Sequence, residues 1–300
     1  MNNYLNDEKK TINMKVAWIF ICILLLSLAG LTGCISLPSG GGGGGGTSTT
    51  TRGVKATQVS EVILVSNVTP SVVYENSVAT LTAQIENHGS EVAKNAFIQA
   101  TRISGDITID NENPIPLGDI EKPIKEKPIP SYQSWSLTTG TRSGDVKITL
   151  KYDYLTWAAG DVQIYDLDKL KTDEKLMNEA QSSAGILSFD GSKAPLKISI
   201  NDNGPFYYTT THTSDKLILS IENAGSGRVI DNKVKATIKI GNTYCKNGET
   251  IDLRFVGSTD VICDFTLPKP SDYKTSVLLD VKLEYTYEVS STQHIEITKL

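Results

Sequence analysis

Cysteine and histidine are the residue types of this chain that could form covalent bonds or bind a metal, and it has four cysteines and three histidines. Cys245 and Cys263 are 18 residues apart in the second half of the chain. Two such cysteines in an exported protein typically form a disulfide. Closing a loop of that size stabilises a fold by about 3 kcal/mol in the chain-entropy account. We predict a Cys245–Cys263 disulfide and expect Cys22, within an apolar run, to be inert.

The histidines do not form a catalytic or metal-binding pattern. His88, His212 and His294 are scattered through the sequence. None has His, Cys or carboxylate partners at the spacing that zinc sites and catalytic triads require. We therefore predict no catalytic residue, no metal site and no cofactor, and a protein that is not an enzyme.

Acidic clusters make calcium binding an alternative. No stretch matches an EF-hand loop, and turns rich in oxygen ligands are common without a metal. Calcium binding at the edges of the predicted domains therefore stays an open alternative. The clusters are Asp106/Asp110/Glu112, Asp166/Asp168/Asp173 and residues 201–204.

Three further features could contact a partner or carry a modification. Asn67 begins an N-glycosylation sequon, Asn-Val-Thr. Trp157 is a candidate partner contact if its ring is exposed. Residues 111–130 contain five prolines, which predicts a stiff crossover or an edge strand. A ligand-presenting loop is the functional alternative for this segment.

The N-terminus predicts export. Residues 1–15 carry three lysines, and residues 16–33 are apolar and uncharged. This pattern is typical of a signal peptide or a membrane anchor with its N-terminus inside. Translation could also begin at Met14.

Leu31-Thr32-Gly33-Cys34 resembles the lipobox of lipoprotein signal peptides. The resemblance implies cleavage before Cys34 and lipidation of its thiol. The alternative is an uncleaved single-pass helix. Both place the rest of the chain outside a membrane. Residues 34–58 include seven consecutive glycines at 40–46, which predict a flexible tether.

The elements that follow are predicted from an internal repeat. Residues 81–101 recur at 217–237 with eight of 21 positions identical. Each copy has an alternating strand, an Asn-x-Gly turn and a second alternating strand, a pattern typical of half-buried antiparallel strands. We interpret the turn as scaffold whose Asn and Gly adopt unusual backbone angles.

The repeat resumes at 150–154 and 283–287. Tyr152, Tyr154, Tyr285 and Tyr287 recur there in the apolar phase of their strands. They favour core packing over an exposed aromatic platform for sugars.

Together these patterns predict an all-β fold of two tandem immunoglobulin-like antiparallel sandwiches, each of about seven short strands. One continuous barrel is the less favoured alternative. The strand, Asn-x-Gly-Ser and strand order resembles CARDB-type modules of archaeal and bacterial surface proteins. That resemblance implies an extracellular immunoglobulin-like fold for adhesion, display or spacing, without a catalytic residue.

The predicted organisation has five parts. A helix over 166–185, capped by Asp166 or Thr172, would connect the two domains and limit the angle between them. The parts are a signal peptide or anchor (1–33), a tether (34–58), domain 1 (59–166), a helical connector (167–192) and domain 2 (193–300).

The composition restricts the partners. The formal net charge is −5 and no basic cluster occurs, which argues against nucleic-acid binding. We expect a protein anchored in the cell membrane by lipid or by a helix. Its extracellular part would bind a protein or a glycan, or serve adhesion or spacing. The alternative is a structural subunit of a surface layer or filament. An accessory substrate-binding or enzymatic subunit is the least favoured hypothesis.

Overall fold

The computed structural model describes residues 54–201, 204–254 and 257–299. Their elements are mostly strands in antiparallel sheets, which confirms the all-β prediction. The predicted signal or anchor segment 1–33, the lipidation site Cys34 and the glycine run 40–46 lie outside the described residues. None of the described helices is long and apolar enough to cross a membrane.

The elements fall into three groups along the chain. The first group is β1 (Val54–Ala56), β2 (Val62–Thr69), β3 (Val73–Tyr74), β4 (Val78–Asn87), β5 (Ala93–Arg102), β6 (Ile107–Ile109), β7 (Ile115–Ile120), β8 (Ser131–Thr139) and β9 (Gly144–Asp166). The connecting group is α1 (Leu167–Leu170), α2 (Glu174–Ser182) and β10 (Ile186–Gly191). The third group is β11 (Leu196–Asn201), β12 (Phe206–Tyr208), β13 (Ser214–Asn223), β14 (Arg228–Val229), a 3-10 turn (Ile230–Asn232), β15 (Lys233–Ile240), β16 (Thr243–Asp252), β17 (Ser258–Thr266), β18 (Lys274–Ile295) and β19 (Ile297–Thr298).

The two longest strands pair with each other. β9 has 23 residues and β18 has 22. They run antiparallel from the Gly144–Ile295 pair to the Tyr165–Lys274 pair. The expectation of short strands is wrong here, because the alternation of buried and outward residues continues without a proline. Both repeats thereby contribute to one nine-stranded sheet, whose main path is β16-β15-β18-β9-β5-β7.

The register of this pair relates the repeats by a local two-fold axis. Asp153 and Thr286 occupy equivalent positions of the repeats and are register partners. Exchanging the repeats also interconverts the neighbouring pairs Tyr152–Tyr287 and Tyr154–Tyr285. β9 and β18 therefore pair in the same way as two copies of one strand across the interface of a symmetric dimer. Here, however, both strands belong to a single chain.

The four tyrosines at this axis are core residues. Each is at most 6% exposed, and neighbouring ring centroids are 5.8 to 6.3 Å apart. Edge and tilted ring packing of this kind stabilises a core beyond the area that it buries. The prediction of core packing, rather than an exposed sugar platform, is confirmed.

The Asn-x-Gly turn of the first repeat is bound to one of these tyrosines. The Tyr154 hydroxyl accepts a hydrogen bond from the Glu91 amide at 3.3 Å, and a side chain at Gly89 would overlap that hydroxyl. Asn87 is fully buried. Its Nδ2 donates to the Glu91 carbonyl at 2.7 Å and its Oδ1 accepts from the Gly89 amide at 2.9 Å.

The second repeat has the same arrangement. The Tyr287 hydroxyl donates to Asn223 Oδ1 and accepts from the Gly227 amide, both at 3.0 Å, and a side chain at Gly225 would overlap it. The prediction that the Asn and the Gly of each turn adopt unusual backbone angles is wrong, since none of Asn87, Gly89, Asn223 and Gly225 has a positive φ. Glycine is required there because a tyrosine hydroxyl packs directly against the backbone.

Each of two smaller sheets contacts one half of the central sheet. One consists of β2, β4, β8 and β6, and the other of β1, β11, β13 and β17. Buried side chains of all three sheets form one continuous core. The predicted disulfide is present: it joins Cys245 on β16 to Cys263 on β17 and so links the central sheet to a smaller one.

Two predicted boundaries are corrected. The tether 34–58 ends earlier than expected, because Val54–Ala56 form β1 and pair with residues 199–201 of β11. Thr57 is buried. Its amide donates to the Ile198 carbonyl at 2.9 Å and its Oγ1 accepts from the Ile198 amide at 3.0 Å. This segment is ordered because its backbone groups find partners on the edge of β11.

The connector is not one helix. Asp166 caps α1 as predicted, whereas Asp173, not Thr172, caps α2. The last part of the predicted helical connector 167–192 is the strand β10, which pairs with β9. Ile186 and Phe189 pack on the core from this strand, and this burial favours an extended conformation over a third helix.

Replacing both Cys245 and Cys263 with alanine should lower the free energy of unfolding by about 3 kcal/mol. Equilibrium denaturation in urea measures this loss. Reductant should destabilise the wild type by a similar amount and leave the double variant unchanged. A wild type that is insensitive to reductant would contradict the stabilising role of the bridge.

Candidate functional site

A groove of about 800 Å³ lies at the local two-fold axis and is lined by both repeats. It extends over the middle of the β9–β18 pair, between the first residues of β5 and the first residues of β15. Its lining residues are Glu91, Val92, Lys94, Asn95, Asp153, Tyr154, Leu155, Ile230, Asp231, Lys233, Lys235, Thr250, Glu284, Tyr285 and Thr286.

The alternation of side chains between the two faces of each strand directs part of this lining into the groove. Along β9 and β18 the buried tyrosines alternate with outward side chains, among them Asp153, Leu155 and Thr286. β5 has a register shift between Lys94 and Phe97, where it diverges from β9. Lys94 and Asn95, at this divergence, line the groove.

Two equivalent residues in left-handed backbone conformations flank the groove. Asn95 has a φ of 51° and Asp231, at the matching position of the second repeat, has a φ of 56°. Asn and Asp tolerate this conformation better than other residues with a side chain. The same local bend thus recurs on both sides of the axis.

Asp153 organises the centre of the groove. One carboxylate oxygen accepts a hydrogen bond from Asn95 Nδ2 at 3.0 Å, and the other accepts from Thr286 Oγ1 at 2.7 Å. The backbone N–H of Asn95 donates a hydrogen bond to the Asp119 carboxylate at 3.1 Å. These contacts connect the bend in β5 to β9 and to the second repeat.

Two more carboxylates of the groove are also bonded to neighbours. Glu284 forms an ion pair with Lys235 at 3.3 Å. Glu91 accepts a hydrogen bond from the Trp157 indole at 2.9 Å. Each of these carboxylates is therefore already engaged by a neighbouring donor.

The tyrosines beside the groove are not acid–base groups. Burial raises the pKa of Tyr154 to about 12 and raises the pKa of Tyr285 further. Both phenols therefore stay protonated over the physiological range. They can donate or accept hydrogen bonds but do not ionise.

The predicted site residues are dispersed over the molecule. Trp157 is half-buried, and its indole bond to Glu91 places it beside the groove without lining it. Asn67 is exposed, but on the strand β2 rather than in the expected surface loop. The prediction of an edge strand within residues 111–130 is confirmed by β7, which lies at the end of the central sheet.

The histidines and acidic clusters have local partners. His88, His212 and His294 lie 2.9, 3.4 and 2.7 Å from Glu86, Asp215 and Asp145. Hydrogen bonds from Arg142 lower the pKa of Asp106 to about 2, and Asp166 and Asp173 cap helices. Within the described residues no group of three or more His, Cys, Asp or Glu could hold a metal ion.

The groove was not predicted from the sequence. One signal was present, because Asn95 and Asp231 occupy the same position of the repeat and are both residues that tolerate a left-handed backbone. Apart from Tyr154 and Tyr285, the remaining lining residues differ between the repeats. They come together only through the pairing of β9 with β18.

The chain matches no protein-family model, and no curated protein or solved structure is significantly similar to it.

Asn95→Ala should destabilise the protein by about 1 to 2 kcal/mol, because alanine is strained at positive φ and cannot donate to Asp153. Asn95→Gly removes the same hydrogen bond without the strain and should cost less. Thermal and urea denaturation of the two variants measure the difference. Equal losses would show that backbone conformation does not limit the residue at this bend.

Proposed function

We propose that this chain is a membrane-anchored cell-surface protein whose two immunoglobulin-like modules bind an extracellular partner in the groove between them. The observation that carries this proposal is the position of the groove. It lies where the repeats meet, has side chains from both, and is lined by polar and charged groups on a rigid sheet. A small number of fixed polar groups around a concave surface is typical of a ligand site.

The immunoglobulin-like assignment is supported by antiparallel sheets that pack on a common core and by a disulfide between two of them. The likeness to CARDB-type modules adds the expectation of a surface location. The N-terminal signal pattern and the lipobox-like residues before Cys34 support export and lipid anchoring. The glycine run at 40–46 would then separate the folded part from the membrane.

The groove chemistry favours a neutral polar ligand. It has four carboxylates (Glu91, Asp153, Asp231, Glu284) and three lysines (Lys94, Lys233, Lys235). A strongly charged ligand would meet like charges there. An oligosaccharide or an uncharged extended peptide could hydrogen-bond to these groups and pack on Leu155, Val92 and Ile230.

Enzymatic function is disfavoured by the same contacts. Asp153, Glu284 and Glu91 are each engaged by a neighbouring side chain. General acid–base catalysis needs a pair of groups poised to exchange protons with a substrate. We propose a binding or spacing role without catalysis.

A structural role in a surface assembly is the second candidate. The observation that favours it is the open, uncharged edge of β2, which can pair with another strand. Assembly and ligand binding use different surfaces and can be tested separately.

Binding in the groove is tested with a panel of neutral oligosaccharides and uncharged peptides immobilised on arrays, followed by calorimetry. We expect Glu284→Arg to weaken binding about tenfold or more, because it removes a hydrogen-bond acceptor from the groove and breaks the ion pair that holds Lys235. Glu222→Arg is the matched control on an outward face of the other sheet. Loss of binding in the control as well as in the groove variant would contradict this site.

Lipid anchoring is tested by mass spectrometry of the protein extracted from membranes of a host with lipoprotein processing. We expect an acylated chain that begins at Cys34, and a Cys34→Ala variant that is neither cleaved nor acylated. Recovery of intact residues 1–33 in the wild type would instead identify an uncleaved helical anchor.

A further inference from the structure

The edge strand β2 has no protection against pairing with another strand. Its sequence, VILVSNVT, has eight residues without a charge, a proline or a glycine. It pairs with β4 through eight consecutive positions without a register shift, so it has no bulge. No strand among the described residues pairs with its other side. A long, straight and uncharged edge is the type that natural proteins usually block.

The other sheet edges within the described residues carry such protection. β7 contains a proline and a glycine, and β6 has only three residues. β16 contains Lys246, Glu249 and Asp252 and has register shifts in its pairing. β17 contains Asp260 and Asp264. β2 is therefore the exception in a chain that otherwise follows the rule.

The local two-fold axis gives a direct comparison for this edge. Ile85 and Ile221 are equivalent positions of the repeat. Leu64 of β2 is the register partner of Ile85, and Ile198 of β11 is the register partner of Ile221. β2 and β11 are thus equivalent strands. The edge of β11 is paired with β1, whereas no described strand pairs with the corresponding edge of β2. That edge is partly covered, since the Val62 amide donates to the Tyr152 hydroxyl and the Ser66 hydroxyl donates to Gln293 of β18.

The long strand at this side of the molecule, β9 in one half and β18 in the other, also differs between the halves in which strands pair with it. Residues 158–166 of β9 are paired with β10 and β12. Their equivalents at 291–299 begin with the last residues of β18, which no described strand joins on the side away from β9. β1 and β10 therefore have no counterpart in the other half, whereas β12 does, because β3 pairs in parallel with β19 at Val73–Ile297 and Tyr74–Thr298.

The exposed face of β2 is apolar near its first residues. Ile63 and Val65 are 43% and 57% exposed. Tyr132 of β8, 62% exposed, is two strands away in the same cross-strand row as Val65. Adding a strand beside β2 would bury part of this surface and supply partners for backbone groups at this edge, of which the Val62 and Val68 amides already bond to Tyr152 and Asn67.

We propose that β2 pairs with β2 of a second copy of this chain, antiparallel and about a two-fold axis. Pairing of identical strands brings only neutral side chains opposite one another, because residues 62–69 carry no charge. The fold already joins its own two repeats by antiparallel pairing of equivalent strands, β9 and β18. An isologous contact of this kind closes as a dimer, so a larger surface assembly would need a further contact besides β2.

An eight-residue strand contact is smaller than a typical stable interface, so the association depends on concentration. Chains held on one membrane by flexible tethers have a raised effective concentration, which favours such a weak contact. Dimerisation uses the β2 edge and leaves the groove between β5 and β15 uncovered. Its failure would therefore not affect ligand binding in the groove.

The test is sedimentation velocity of the full-length chain in detergent micelles over a concentration series, with protein from a host that does not glycosylate Asn67. We expect a reversible monomer–dimer equilibrium. Val65→Lys should raise the dimer dissociation constant about tenfold or more, since it places charges at the interface. Val78→Lys is the matched control: Val78 is 66% exposed on the same small sheet, but in the interior strand β4.

Hydrogen–deuterium exchange identifies the contact itself. The Glu61 carbonyl accepts from His88, and the Val62 amide points away from β4 to the Tyr152 hydroxyl. The Val68 amide already donates to Asn67 Oδ1 at 2.8 Å. Strand alternation points the amides of Leu64 and Ser66 to the unpaired edge. We expect their exchange to slow as concentration rises in the wild type but not in Val65→Lys. A monomer at all concentrations, or a dimer that Val65→Lys leaves intact, would overturn the proposal.

Discussion

The pairing of β9 with β18 is the interaction on which the rest of this structure depends. It joins the last long strand of each repeat over 22 register positions and places Asp153 opposite Thr286 on a local two-fold axis. The central sheet, the continuous core and the groove all follow from this register. A slip of one residue would turn the buried tyrosines to the outward face and the groove residues to the inside.

The tyrosines make that register specific. Tyr154 and Tyr287 each pack against a glycine and bond to the backbone of an Asn-x-Gly turn, so that a turn and a strand distant in sequence are held together. In the sequence the turn and the tyrosines are two separate repeated features. In the structure they form one unit, which explains why both recur.

The two-fold symmetry is local. The two surfaces that we propose to bind partners, the groove and the edge of β2, both lie where the halves of the molecule differ. At the axis, Asp153 faces Thr286 and the flanking residues differ, so that the groove has one orientation. At the outer edges, β1 and β10 cover one half and have no counterpart in the other, whereas β12 on β9 is matched by β3 on β19. The repeated parts provide the scaffold, and the unmatched parts provide the two surfaces available to partners.

The sequence by itself determined the all-β class, the strands of the repeat, the buried phase of the tyrosines and the Cys245–Cys263 bridge. These depend on alternation and on residue chemistry, which are local or need only two positions. Tertiary structure decided that the repeats share a sheet, that β1 pairs with β11, and that Gly89 and Gly225 are required by tyrosine contacts. It also decided that Asn95, Asp153 and Thr286 meet at one site. Each of these facts depends on which distant strands become neighbours, and the free energies of alternative pairings are not contained in the pattern of any single segment.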